Sequence, residues 1–181
     1  MLFGLLAGCA QSSVKPVESL DERTGVTVTS LKEPIVLVPG AKLAAQAEGK
    51  HISFAYMGPV EWNRSGEFSY GWWVHIAPGS GAQPGDIHAA DALTVILDDG
   101  AIALTAIGSV KLGREPYQPV ASWGQTAYFN LTIDTLRRMA TSRTLKLDVR
   151  AADGSVIGFS AVADMRAVLT EYVQSRGLTG D

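Results

Sequence analysis

The stretch from Glu67 to Ile76 alternates with a period of two over ten residues. Phe68, Tyr70, Trp72, Val74 and Ile76 share one parity, while Glu67, Ser69, Gly71, Trp73 and His75 take the other. Side chains of a strand point alternately to opposite faces, so this pattern predicts a long strand with its first set on the core. A chain built around such a strand must supply partners for both of its edges. His51 to Met57 is the expected neighbour, across a turn-rich segment from Gly58 to Gly66 in which Asn63-Arg64-Ser65-Gly66 reverses the chain.

The same period recurs downstream. Leu93, Val95 and Leu97 alternate, Asp98-Asp99-Gly100 turns, and Ile102, Leu104 and Ala106 alternate again. An Asp-Gly step between alternating runs is a strong hairpin signal, because glycine takes the positive φ that tight turns need. Leu145, Leu147 and Val149 followed by Asp153-Gly154, Ile157 and Phe159 predict a second such hairpin. Further strands are expected at Val26 to Leu31, Ile35 to Val38 and Thr126 to Ile133.

Helical spacing is confined to two places. Asp134 to Ala140 is a short helix capped near Thr132 or Asp134, with Leu136 and Met139 inward. Met165, Val168, Leu169, Tyr172 and Val173 form one stripe on a C-terminal amphipathic helix, with Asp164 at its start and Gly177 past its end. The reading is therefore a mainly β fold: an antiparallel β-sandwich or partly open barrel, with a short helix and a C-terminal amphipathic helix. At 181 residues, 46% of them apolar, the chain can close one core.

The N-terminus reads MLFGLLAGCA, and its Cys9 is the only cysteine. Leu6-Ala7-Gly8-Cys9 resembles the lipobox of bacterial lipoproteins, in which a leucine, two small residues and a cysteine end the signal peptide. The resemblance implies that Cys9 carries lipid and that residues 1–8 are the remnant of a signal peptide. The apolar run before Cys9 is shorter than usual and no Lys or Arg precedes it, as expected of a start placed too far downstream. Gln11 to Gly25 is rich in Ser, Pro and mixed charge, so residues 9–25 are read as a lipidated cysteine with a flexible tether. Residues 26–181 are then a single β-sandwich domain. Ala10 and Gln11 do not resemble an aspartate-type retention signal, which implies the outer membrane, facing the periplasm. The partner expected from this resemblance is the membrane, through the lipid anchor.

Charge and residue types narrow the function classes. A net charge of −3 offers no attraction to nucleic acid, and Arg137, Arg138, Arg143, Lys146 and Arg150 are interleaved with Asp134 and Asp148 as on a solvated face. One cysteine leaves no internal disulfide and no multi-thiolate zinc site. No cofactor and no metal site is expected. Asp86-Ile87-His88 lacks a third ligand at metal-binding spacing, and a local turn explains it equally. The Asn63-Arg64-Ser65 and Asn130-Leu131-Thr132 matches to the glycosylation pattern are accidental in a bacterial lipoprotein.

Three functional readings remain. Trp73 lies on the outward parity beside His75, and Trp62 and Trp123 fall in turn-rich segments. Exposed, these tryptophans would stack on sugar rings or anchor a protein, making the domain a non-catalytic binder of a periplasmic protein or cell-wall glycan. The competing expectation is that a helix or loop covers this face and buries Trp73. The alternative function is a lipid-anchored hydrolase or metal-dependent enzyme around His75, Ser80, Asp86 and His88, although Pro78 to Gly85 matches no nucleophile motif. A structural or assembly role with no small ligand is the third possibility.

Overall fold

The computed structural model describes residues 15–40, 54–77, 93–108, 115–118, 121–150 and 156–179. The strands are β1 (Val17–Asp21), β2 (Val26–Ser30), β3 (Ile35–Pro39), β4 (Phe54–Arg64), β5 (Glu67–Ala77), β6 (Leu93–Leu97), β7 (Gly100–Leu104), β8 (Gln125–Asn130), β9 (Lys146–Arg150) and β10 (Val156–Ala161). Two helices follow β8 and β10: α1 (Ile133–Thr141) and α2 (Arg166–Ser175). All described ladders are antiparallel. They run in the order β1-β2-β4-β3-β10-β9-β6-β7, and β5 joins β4 to β8. β7 continues toward β8 only through one isolated bridge, Ala106 to Phe129, so the sheet is not closed into a barrel. The fold is mainly antiparallel β, consistent with a sandwich or open barrel.

The long hairpin β4–β5 is the backbone of the sheet, with eleven paired positions from Phe54↔Ala77 to Arg64↔Glu67. Its turn is only Ser65-Gly66, both at positive φ (53° and 92°), as a two-residue primed turn requires. Asn63 Oδ1 accepts from the Gly66 amide at 2.8 Å and holds that turn. The Gly58 to Gly66 segment is therefore strand up to Arg64, contrary to its reading as a long turn. Gly58 and Pro59 break nothing because β4 changes neighbours there: residues 55–57 pair with β3 and residues 60–63 with β2. Pro59 sits in the gap, where no strand needs its missing N–H.

A second correction concerns the tether. Val17 to Gly25 forms β1 and the turn into β2, with Val17↔Ser30 through Asp21↔Val26 in register. The Gly25 amide donates to the Asp21 carbonyl at 2.7 Å, and Gly25 takes φ 68°. The five residues Val17 to Asp21 carry two acids and little apolar weight, too weak a pattern to outvote a spacer reading. Pairing with β2 supplies what local propensity does not.

The first helix has a side-chain N-cap, whereas Met165, the N-cap of the second, makes no such bond. Thr132 Oγ1 accepts from the Thr135 amide at 3.1 Å at the start of α1. Asp164 Oδ1 accepts from the Arg166 amide at 3.0 Å ahead of α2, and Gly177 follows at φ 63°. Leu136 and Met139 of α1 and Leu169, Tyr172 and Val173 of α2 are buried in the core, with Trp72, Phe129, Leu147 and Phe159. The C-terminal end of α2 lies on the row Glu18, Thr29, Glu61, Tyr70, which crosses four strands in register. Tyr172 Oη donates to the Thr29 carbonyl at 3.4 Å, and Arg176 pairs with both Glu18 and Glu61.

Candidate functional site

Trp62, Trp73 and His75 do come together, on one face of the β4–β5–β8 sheet. Trp73 and His75 are two residues apart on β5, Gly58 and Tyr56 lie opposite them on β4, and Tyr128 and Thr126 oppose them on β8. The face is aromatic, and it is covered. Trp73 is 0% exposed and His75 1%, so of the two expectations for this face the one in which it is covered and Trp73 buried holds, and Trp73 does not present itself to a ligand.

The cover is the short segment Glu115 to Tyr117. Glu115 Oε2 accepts from Trp73 Nε1 at 3.3 Å and from the Tyr128 hydroxyl. The Tyr117 ring packs on Trp73 with centroids 4.8 Å apart. Its hydroxyl donates to the Pro59 carbonyl at 2.9 Å and accepts from the Leu31 amide at 3.1 Å. Tyr117 thus fills the opening left where β4 passes from β3 to β2. Gly58 makes this possible, because a Cβ there would stand 2.3 Å from the Tyr117 hydroxyl. Burial pushes the Tyr117 and Tyr128 hydroxyls well above the ordinary phenol range; for Tyr128 the Glu115 carboxylate adds to it. Both hydroxyls are therefore neutral donors and not bases.

His75 is held on three sides. Its ring stacks on Trp73 (5.8 Å between centroids, 11° between planes), and Tyr56 lies 6.2 Å away. Nδ1 is 2.9 Å from Thr126 Oγ1. Nε2 is buried without a hydrogen-bond partner among the described residues. The turn Ala121 to Gly124, closed by a 3.0 Å bond from the Gly124 amide to the Ala121 carbonyl, lies directly over that nitrogen. Burial lowers the imidazole pKa from its ordinary value, against weaker opposing effects of the Ala121 carbonyl and Glu115. His75 is a neutral ring in the core, its charged form disfavoured by lost hydration.

Trp62 is half-buried and lies across Gly71, where a Cβ would come within 2.3 Å of the indole. Its ring centroid is 5.8 Å from that of Tyr128. This is an aromatic filling the space above a strand glycine. Trp123 is different: on the turn that closes over His75, it is 62% exposed. Of the four tryptophans, Trp123 alone is exposed.

Cys9, Ser80, Asp86 and His88 lie outside the described residues. Among the described residues no group of three or more His, Cys, Asp or Glu side chains could hold a metal ion. Glu115, Tyr117 and Tyr128 were not singled out from the sequence. Tyr128 falls on the parity opposite to Phe129, and Glu115 to Tyr117 sits in a connection without periodicity. The one available signal was Gly58 and Gly71 inside strands otherwise rich in aromatics, since a strand glycine often marks a close approach. No family model, no curated protein and no solved structure matches the chain.

Proposed function

We propose that this chain is a non-catalytic bacterial envelope lipoprotein, anchored through a lipid on Cys9, whose β domain binds a periplasmic protein or cell-wall glycan. The observation that carries the binding reading is Trp123. A large residue left 62% exposed on a turn, above the buried Trp73 and His75, is the kind of group that anchors a partner. Gly124 brings the turn into close contact with His75, so the indole is carried on a turn that packs against the core. Burial of Trp73 narrows the proposed contact from a sheet face to this turn. Leu6-Ala7-Gly8-Cys9 supports the address, and the mainly polar residues 11–15 ahead of β1 support a short spacer between the lipid and the domain.

Cross-linking and co-purification from bacterial envelopes, wild type against Trp123→Ala, tests the binding reading. A partner lost with Trp123 supports it, and recovery with purified cell-wall glycan alone identifies the glycan over a protein. Identical partners for both forms would sink the aromatic contact. Mass spectrometry of the mature N-terminus, with Cys9→Ser as control, tests the anchor: a diacylated Cys9 is expected, and an unmodified cysteine in a membrane-free protein overturns it.

A further inference from the structure

A cleft of about 460 Å³ opens where the end of α1, the start of β9, the end of β10 and the start of α2 meet. That volume falls in the range of small-molecule sites, about 300–1,000 Å³. Its lining has two characters. Leu145, Met165 and Val162 give it an apolar side, and Val162 is 64% exposed. Arg143 and Lys146 give it a cationic side; both are exposed, and neither forms an ion pair among the described residues.

The acid in the same wall is already neutralised. Arg166 Nε lies 2.9 Å from both oxygens of Asp164, and its terminal nitrogen bonds the carboxylate as well. These contacts, with a smaller contribution from the charge of Arg143, hold the Asp164 carboxyl at about 2. Asp98 is bound to the backbone amide of Arg143 and not to its guanidinium, so the Arg143 and Lys146 side chains stand beside apolar surface with no ion pair among the described residues. We propose that this cleft binds an amphiphilic organic anion, its phosphate or carboxylate head on Arg143 and Lys146 and a short apolar chain on Val162, Leu145 and Met165. Charge complementarity orients the head, and the apolar wall distinguishes this ligand from a bare inorganic ion.

Titration of the full chain with octyl phosphate below its micellar concentration, followed by backbone amide NMR, tests the site. Saturable shifts confined to residues 142–146 and 160–166 are expected. Arg143→Glu/Lys146→Glu should weaken binding at least tenfold, and Val162→Asp, on the apolar rim, at least threefold. All three substitutions are at exposed positions, and unchanged melting of each variant confirms folding. Inorganic phosphate and octanol should each bind at least tenfold more weakly than octyl phosphate. Octanoate in place of octyl phosphate ranks the two head groups. Absence of saturable binding, equal affinity in the charge-reversed variant, or inorganic phosphate binding as tightly as octyl phosphate overturns the proposal.

Discussion

Gly124 packs its backbone against the imidazole of His75, so closely that a Cβ at that position would stand 2.2 Å from Nε2 and 2.9 Å from the Ile76 carbonyl. The turn bearing Trp123 is therefore seated on a buried histidine, and glycine is the residue that permits it. Gly124→Ala should force either the ring or the turn to move, at a cost of about 1–3 kcal/mol. Urea denaturation measures this directly. Wild-type stability in Gly124→Ala would mean that the ring has room to give.

The same histidine makes stability depend on pH with a defined sign. Burial lowers the folded-state pKa of His75, while the unfolded chain titrates near the ordinary value of about 6.5. Above that value His75 is neutral in both states and its contribution is complete. As pH falls from about 6.5 toward the lower folded value, the unfolded state takes up the proton first and stability is lost. Denaturation midpoints between pH 7.5 and 5 should show this fall. His75→Gln should lose part of the slope, and an unchanged slope would assign the effect to other groups.

Glu61 and Arg176 tie β4 to the end of α2. The Glu61 side chain is 2% exposed, and Arg176 reaches it through both Nη2 (2.6 Å) and Nε (3.4 Å) while also bonding Glu18. Arg176→Ala strands a buried carboxylate and should cost about 3 kcal/mol. Arg176→Ala/Glu61→Gln should recover part of that loss, because the uncompensated charge is gone. A double-mutant cycle by chemical denaturation checks it, and simple additivity of the two changes would refute the coupling.

Tyr117 is expected to matter through its hydroxyl as well as its ring. Tyr117→Phe leaves the Leu31 amide and the Pro59 carbonyl unpaired in a buried gap, for a loss of about 1–3 kcal/mol. Tyr117→Ala also removes the cover from Trp73 and should cost about 3–5 kcal/mol. Tryptophan fluorescence should shift to the red in the alanine variant and stay unchanged in the phenylalanine variant. A blue or absent shift in Tyr117→Ala would show that another group shields Trp73.

How legible the site was follows from the range of the interactions that make it. The hairpins at Asp98-Asp99 and Ser65-Gly66, the Thr132 cap and the α2 stripe are all local, set by residues within a few positions of one another. Their periods and turn chemistry could be read directly. The environment of Trp73 could not. Its parity places it opposite Trp72 on the strand, yet both are fully buried, because Glu115 and Tyr117, 42 and 44 positions away in the chain, lie over one face.

The sequence by itself determined the β character, the places where the hairpins reverse, both helices and the segment that resembles a lipoprotein leader, because alternation, glycine at positive φ and capping act over short distances. Only the tertiary structure decided that β1 pairs with β2 instead of extending the tether, that β4 runs through Pro59, and that Trp123 and not Trp73 faces solvent. Each of those outcomes depends on which distant segment arrives to cover a given face, and a strand pattern records two faces without recording what lies above them.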